Sequence, residues 1–144
     1  MSHAAGFATD ICEIMRVKAE YCQAVDQCVT DSATGIARLT AVFAEDIVCD
    51  YGESVLHGRG DATAFLGDLG NSRDWLWHSI QTPNIAIDGM SAEASWTIVA
   101  MMREKGGSRT DSAIGRYHDH LRRRTDGSWE IARIRWVSEH LLSH

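Results

Sequence analysis

Trp75-Leu76-Trp77-His78-Ser79-Ile80-Gln81, residues 75–81, is the stretch on which the fold turns. It is apolar and aromatic, carries one histidine in its middle, and reads as a strand that stops at Pro83. From here to the C-terminus the pattern is β throughout. A short strand at Ile85–Ile87 turns at Asp88-Gly89, a strong hairpin signal. The next strand, Ala92–Met102, places Ala92, Ala94, Trp96, Ile98, Ala100 and Met102 on one face. Gly106-Gly107-Ser108 turns into Ser112–Arg123, with Tyr117 and Leu121 on one face and Arg116, His118 and His120 on the other. Asp126-Gly127 leads to Trp129–Val137, where strict alternation puts Trp129 and Ile131 on one face and Ala132, Ile134 and Trp136 on the other.

Upstream of this run the period is helical. Ile11, Ile14, Lys18, Tyr21, Val25 and Cys28 alternate at threes and fours, predicting a helix over residues 10–29. One aliphatic-stemmed lysine lies inside that stripe, and Asp26 lies at its margin. Thr30-Asp31-Ser32 is a stop followed by a cap, and Ile36, Leu39, Thr40 and Phe43 share one side of a second helix. Ile47, Cys49 and Tyr51 then point one way, and Val48 and Asp50 the other, in a strand ended by Gly52. Gly58-Arg59-Gly60-Asp61 is expected to be a loop with Asp61 as N-cap of a short helix carrying Phe65, Leu66 and Leu69. Helices first and hairpin-linked strands after predict an α+β protein, with helices packed on one face of a curved antiparallel sheet. Such a sheet closed by helices leaves a cone-shaped cavity, a natural small-molecule site.

The bulk composition narrows the classes. A chain of 144 residues is expected to form one domain with a sizeable core, residues 1–9 being a flexible lead. Twenty acidic against fourteen basic residues give a net charge of −6, which disfavours nucleic acid as a partner. The Arg122-Arg123-Arg124 run reads as a solvated strand end. Cys12, Cys22, Cys28 and Cys49 form no CxxC and read as small hydrophobes in a reducing compartment. The first six residues carry no signal-peptide pattern, and nothing approaches the ~18 consecutive apolar residues of a membrane span. A cytoplasmic protein with no membrane partner is the expectation.

Several side chains could carry chemistry. The near-neutral pKa of His78 suits proton abstraction, and a carboxylate on its other nitrogen would fix the tautomer and stabilise the imidazolium. Asp26 is the best candidate for that carboxylate. The competing reading is a core histidine satisfied by a backbone carbonyl. Tyr21 and Tyr51 could donate to a leaving oxygen or an enolate from a pocket wall, or be amphipathic core residues. His118 and His120 share one strand face and could chelate a metal, but no third ligand has useful spacing, so no metal is expected. Arg135, among apolar residues, needs an anion: a substrate carboxylate, Asp50 or Glu139. There is no P-loop, dinucleotide fingerprint or Gly-x-Ser-x-Gly elbow.

In order and spacing these features resemble SnoaL-like proteins of the nuclear transport factor 2-like superfamily. The resemblance rests on Tyr21-Cys22-Gln23-Ala24-Val25-Asp26, on Phe43-Ala44-Glu45-Asp46-Ile47-Val48-Cys49-Asp50-Tyr51, on Gly58-Arg59, on Trp77-His78, and on Tyr117-His118-Asp119 with Arg124-Thr125-Asp126-Gly127-Ser128-Trp129. It covers roughly residues 10–140 and implies a cystatin-like, cone-shaped α+β barrel. The pattern is most similar to the branch holding scytalone dehydratase, bile-acid 7α-dehydratase and hexachlorocyclohexane dehydrochlorinase. These are cofactor-free enzymes that abstract a proton and expel a leaving group with a His–Asp pair. The resemblance implies His78 as base, Asp26 as its orienting acid, Tyr21 and Tyr51 as pocket tyrosines, and Arg135 at the position of a functional arginine. Where the bile-acid enzyme has a further catalytic aspartate, this chain has Ala100 or its neighbours, and the catalytic acids of ketosteroid isomerases do not match. The expected function is a cofactor-independent lyase acting on a hydrophobic aromatic or polycyclic molecule, with Trp77, Trp96, His118 and Arg135 as substrate contacts. The same parts would serve isomerisation, cyclisation or C–C cleavage. The fold also serves as a binding or assembly module, such as the small subunit of ring-hydroxylating dioxygenases. A Trp- and Ile-rich open sheet face suggests a homodimer or homotrimer.

Overall fold

The buried stripe of the N-terminal helix, Ile14, Val17, Lys18, Tyr21, Cys22, Val25 and Cys28, is the seam against which the chain packs. The computed structural model describes residues 3–143. Its elements are α1 (His3–Gln27), α2 (Ser32–Val42), β1 (Phe43–Asp50), β2 (Val55–His57), α3 (Arg59–Asn71), β3 (Arg73–Asp88), β4 (Ser91–Glu104), β5 (Asp111–Arg123) and β6 (Trp129–Ser143). Helix α1 starts at His3, well before residue 10. The alanines of its first turns favour helix, but that end is mostly exposed, so no apolar period marks it. Cys28, just past its C-terminus, is wedged between α2 and α3. A Cβ on Gly35 would lie 2.4 Å from Cys28 Sγ, and one on Gly70 2.4 Å from Cys28 Cβ. Only glycine lets the three helices meet there.

Two caps show local chemistry at work. Asp31 caps α2 as expected, its Oδ1 accepting from the Thr34 N–H at 3.1 Å. At α3 the N-cap is Gly58, with φ of 89°, and Asp61 sits inside the first turn without a capping bond. Its carboxylate still lies at the positive end of the helix dipole. Phe43, expected on α2, opens β1 instead.

The six strands form one curved, open sheet in the order β2-β1-β6-β5-β4-β3. All pairs are antiparallel except β1 with β6, which is parallel. Pairing of strands some eighty residues apart is set by tertiary packing, and local alternation carries no trace of its direction. The strands expected at 75–81 and 85–87 are one, β3, which runs through Pro83. Thr82 adopts φ of 52° and the register shifts between Gln81 and Asn84, so the strand bends at a bulge. Proline is tolerated because β3 is a sheet edge. A second shift, between His120 and Leu121, sets Leu121 opposite Ile131 and His120 opposite Arg133. Ala132 is the extra residue, so Trp129, Ile131 and Ile134 all face the core. Strict alternation had split them between two faces.

The helices cover the concave face of the sheet. The arginine run is not loose solvated charge. Arg122 pairs with Asp46, Arg123 with Asp10 at 2.6 Å, and Arg124 with Glu130 at 3.0 Å, tying the end of β5 to β1, α1 and β6. All four cysteines are free; Cys12 is exposed and the others are buried. Burial pushes the Cys22 thiol up to about 12 and Cys49 to about 11, so both behave as small hydrophobes. No helix among the described residues is long and apolar enough to cross a membrane.

Candidate active site

Asp26 and His78, fifty-two residues apart in the chain, meet where α1 crosses β3. His78 Nδ1 lies 2.6 Å from Asp26 Oδ1, and the His78 backbone N–H donates to Asp26 Oδ2 at 3.1 Å. Both carboxylate oxygens are thereby committed to one residue. A carboxylate accepts, so Nδ1 carries the proton of this bond, and in the neutral imidazole Nε2 keeps its lone pair. The imidazole is 7% exposed and the carboxylate 25%. The helical spacing that put Asp26 at the edge of the α1 stripe explains both numbers: it reaches inward from a rim.

His78 lines a cavity of about 230 Å³. The other walls are mostly apolar: Val25, Phe65, Leu66, Leu69, Ala100, Met102, Ala113 and Trp136. The remaining polar groups are three phenols. Tyr21 and Tyr51 hydroxyls are 2.8 Å apart, and Tyr21 and Tyr117 hydroxyls 3.5 Å. Tyr51 stacks on Phe65, Tyr117 packs edge-on to Tyr21, and Trp136 tilts against Tyr117. Burial pushes all three phenols well above their ordinary range, so they stay protonated and can donate at neutral pH. A base on one wall and hydroxyl donors in the same largely apolar cavity can move a proton and receive negative charge on oxygen.

Beneath the tyrosines lies a second ion pair. Lys18 Nζ is 2.9 Å from Asp119 Oδ2, both side chains being 1% exposed. Trp96 Nε1 donates to the same oxygen at 2.9 Å. The ammonium also rests on aromatic faces, 3.7 Å from the centroid of Tyr117 and 4.4 Å from that of Tyr21. Burial pushes the Asp119 carboxyl up, against the pull of Lys18 and Trp96.

The fold finds counterparts in known proteins. Residues 7–135 match the model of the SnoaL-like domain family. The chain belongs to that family. Among solved structures, this SnoaL-like domain is similar to a candidate scytalone dehydratase from Novosphingobium aromaticivorans, with 18% identity over 98% of this chain and 91% of that one and a TM-score of 0.86. It is similar to the hexachlorocyclohexane dehydrochlorinase LinA-type3 of Novosphingobium barchaimii, with 12% identity, 98% and 94% covered and a TM-score of 0.84. A nuclear transport factor 2-like superfamily protein of Salmonella enterica aligns at 16% identity, 93% and 94% covered, TM-score 0.81. Such likeness establishes the cone-shaped α+β fold. No curated protein matches the sequence.

Not every expected contact reaches the cavity of the SnoaL-like domain. His78, Tyr21 and Tyr51 line it, and Asp26 stands behind His78. Trp77 and His78 are neighbours on a strand, so their side chains take opposite faces; Trp77 is 66% exposed on the convex side. Trp96 is core, held by Asp119 below the cavity. His118 and Arg135 are register partners on the convex face, where they border a polar groove with Glu93 and Arg133. His120 Nδ1 meets Glu93 at 2.6 Å, and among the described residues no three His, Cys, Asp or Glu side chains converge as a metal site. Tyr117, Trp136 and the Lys18–Asp119 pair escaped the sequence reading. Alternation had put Tyr117 on one face with Leu121, and the lysine inside an apolar stripe was the available signal for a buried partner.

Proposed function

We propose that this SnoaL-like domain is a cofactor-independent lyase of the dehydratase type. The observation that carries the reading is the 2.6 Å His78–Asp26 contact at the wall of a largely apolar cavity. His78 Nε2 removes a proton from carbon next to a carbonyl or similarly activating group. Asp26 holds the ring and stabilises the imidazolium that forms. Negative charge then develops on the carbonyl oxygen, and the Tyr21–Tyr51 hydroxyl pair stabilises it or protonates the departing oxygen. A scytalone dehydratase candidate and a dehydrochlorinase among the structural neighbours support an elimination over other proton transfers.

The cavity also sizes the substrate. At about 230 Å³ it lies below the ~300–1000 Å³ of most drug-sized sites. One or two fused rings fit that volume. Ala100, register partner of His78, leaves room beside the imidazole where an acidic side chain would otherwise stand. On the convex face the exposed Trp77 and Met101 are also register partners, an apolar strip that further copies of this chain would cover as a homodimer or homotrimer. The mass of the protein in solution tests that assembly.

Proton abstraction is tested without knowing the natural substrate. One- and two-ring β-hydroxy ketones are incubated in D2O and followed by NMR for α-C–H exchange and loss of water. The expected result is exchange or elimination by the native protein and neither by His78→Ala. Equal rates for both proteins would remove the base from the mechanism, and saturable binding with no exchange in either would favour a ligand-binding module.

A further inference from the structure

A buried ion pair is poor value as a source of stability, since apolar residues of similar volume serve as well or better. The Lys18–Asp119 pair therefore calls for a reason beyond packing. Its place in the layers supplies one. Along α1, Val25 and Tyr21 line the cavity and Lys18 comes one turn deeper. Along β5, Ala113 and Tyr117 line it and Asp119 is the next inward residue. Along β4, Met102 and Ala100 line it and Trp96 lies below. On α1 and β5 a tyrosine lies between the cavity and the charged group, and β4 brings Trp96 to the same buried level. The positive end of the pair rests on the phenol rings, and the negative end is held by the Trp96 indole.

An ammonium on a ring face attracts the electron-rich π-system, and where water is excluded that attraction strengthens. It also favours a phenol that gives up part of its proton to an acceptor, because charge gained by the ring is charge the cation stabilises. We propose that Lys18, backed by Asp119, is a positioning residue that holds the Tyr21 and Tyr117 rings by their faces and aims their hydroxyls at an oxygen gaining negative charge in the cavity. The proposal rests on the proton-abstraction reading and narrows its substrate class. The favoured substrates react through an enolate or similar oxyanion, so a carbonyl oxygen must point at the tyrosines.

The test separates charge from shape and needs no turnover. The probes are 4-nitrophenol, whose bound phenolate is read by its visible absorbance, and 4-nitrotoluene, a neutral molecule of similar size. Each is titrated into the native protein, Lys18→Met and Lys18→Arg, and again in a His78→Ala background so that no imidazolium can hold the phenolate. The expected result is a tenfold or greater loss of nitrophenolate affinity in Lys18→Met, a change below twofold for 4-nitrotoluene, and recovery in Lys18→Arg. Equal weakening of both probes makes the lysine a structural anchor and overturns the proposal. So does a native protein that prefers nitrophenolate no more than 4-nitrotoluene. If Lys18→Met does not fold, Lys18→Met/Asp119→Leu, which removes both charges together, carries the same two expectations. A preference that persists in the His78→Ala background while the native protein fails to exchange α-protons would leave Lys18 in place and retire the base; the converse result would do the opposite.

Discussion

Of the acid–base pairs that join α1 to the sheet, two lie at or beneath the cavity, eight residues or ~12 Å apart along the helix, and they are built for different work. The upper pair, Asp26 with His78, spends one imidazole nitrogen on the carboxylate and has the other left over for the cavity. The lower pair, Lys18 with Asp119, is sealed at 1% exposure and roofed by aromatic rings. Incomplete burial leaves the first in reach of a substrate, with side chains 7% and 25% exposed. Complete burial makes the second a fixed charge whose loss on one side cannot be relieved by water.

The sharpest way to break this contrast is at the upper pair. His78→Ala should lower turnover at least ~100-fold, up to about 10,000-fold, while circular dichroism and the melting temperature stay near native. Asp26→Asn should cost nearly as much, because an amide can present its N–H to the ring and stabilise the wrong tautomer. Normal activity in both variants would collapse the distinction.

The lower pair should respond in stability. Asp119→Ala strands a buried ammonium and should cost ~3–5 kcal/mol in denaturant unfolding, whereas Lys18→Met/Asp119→Leu should cost far less. Similar losses in the single and double variants would mean the two charges do not act as a pair. Packing next to the pairs should matter less. A Cβ at Gly115 would lie 2.1 Å from the Val137 carbonyl oxygen, so Gly115→Ala should cost ~1–3 kcal/mol and shift the β5–β6 register seen by hydrogen exchange.

The smallest effect belongs to a surface pair that neither site uses. Arg38 holds the Glu20 carboxyl below its ordinary 4.5, through bonds of 2.6 and 3.0 Å. A carboxyl depressed in the folded state stabilises above its unfolded value, and that stability is lost as pH falls through the folded value. Glu20→Gln should therefore cost ~0.5–1 kcal/mol at pH 7 and nothing at pH 2, measured by urea unfolding at both. An equal cost at both pH values would assign it to packing.

The same contrast shows what could be read in advance. Asp26 and His78 were legible because helix and strand periods assign each a face, and the motif order of the family supplied the meeting. Tyr21 and Tyr51 followed in the same way. Trp77 was misplaced toward the cavity, although alternation next to an inward His78 sends it outward. Trp96 was correctly inward but lies too deep to touch a substrate, and depth along a cone has no period. Ile134 was lost to the bulge at Ala132, which a single sequence does not announce.

The sequence by itself determined the order of helices and strands, where the hairpins turn, and that Asp26 lies at the margin of a buried helical stripe, because those properties depend on neighbours a few positions apart. Only the tertiary structure decided the parallel insertion of β6 beside β1, the bend at Thr82, and the pairing of Lys18 with Asp119 under the tyrosines. Each of these joins or bends segments through packing over the whole sheet, and the free energy that selects it exists only once the core has closed.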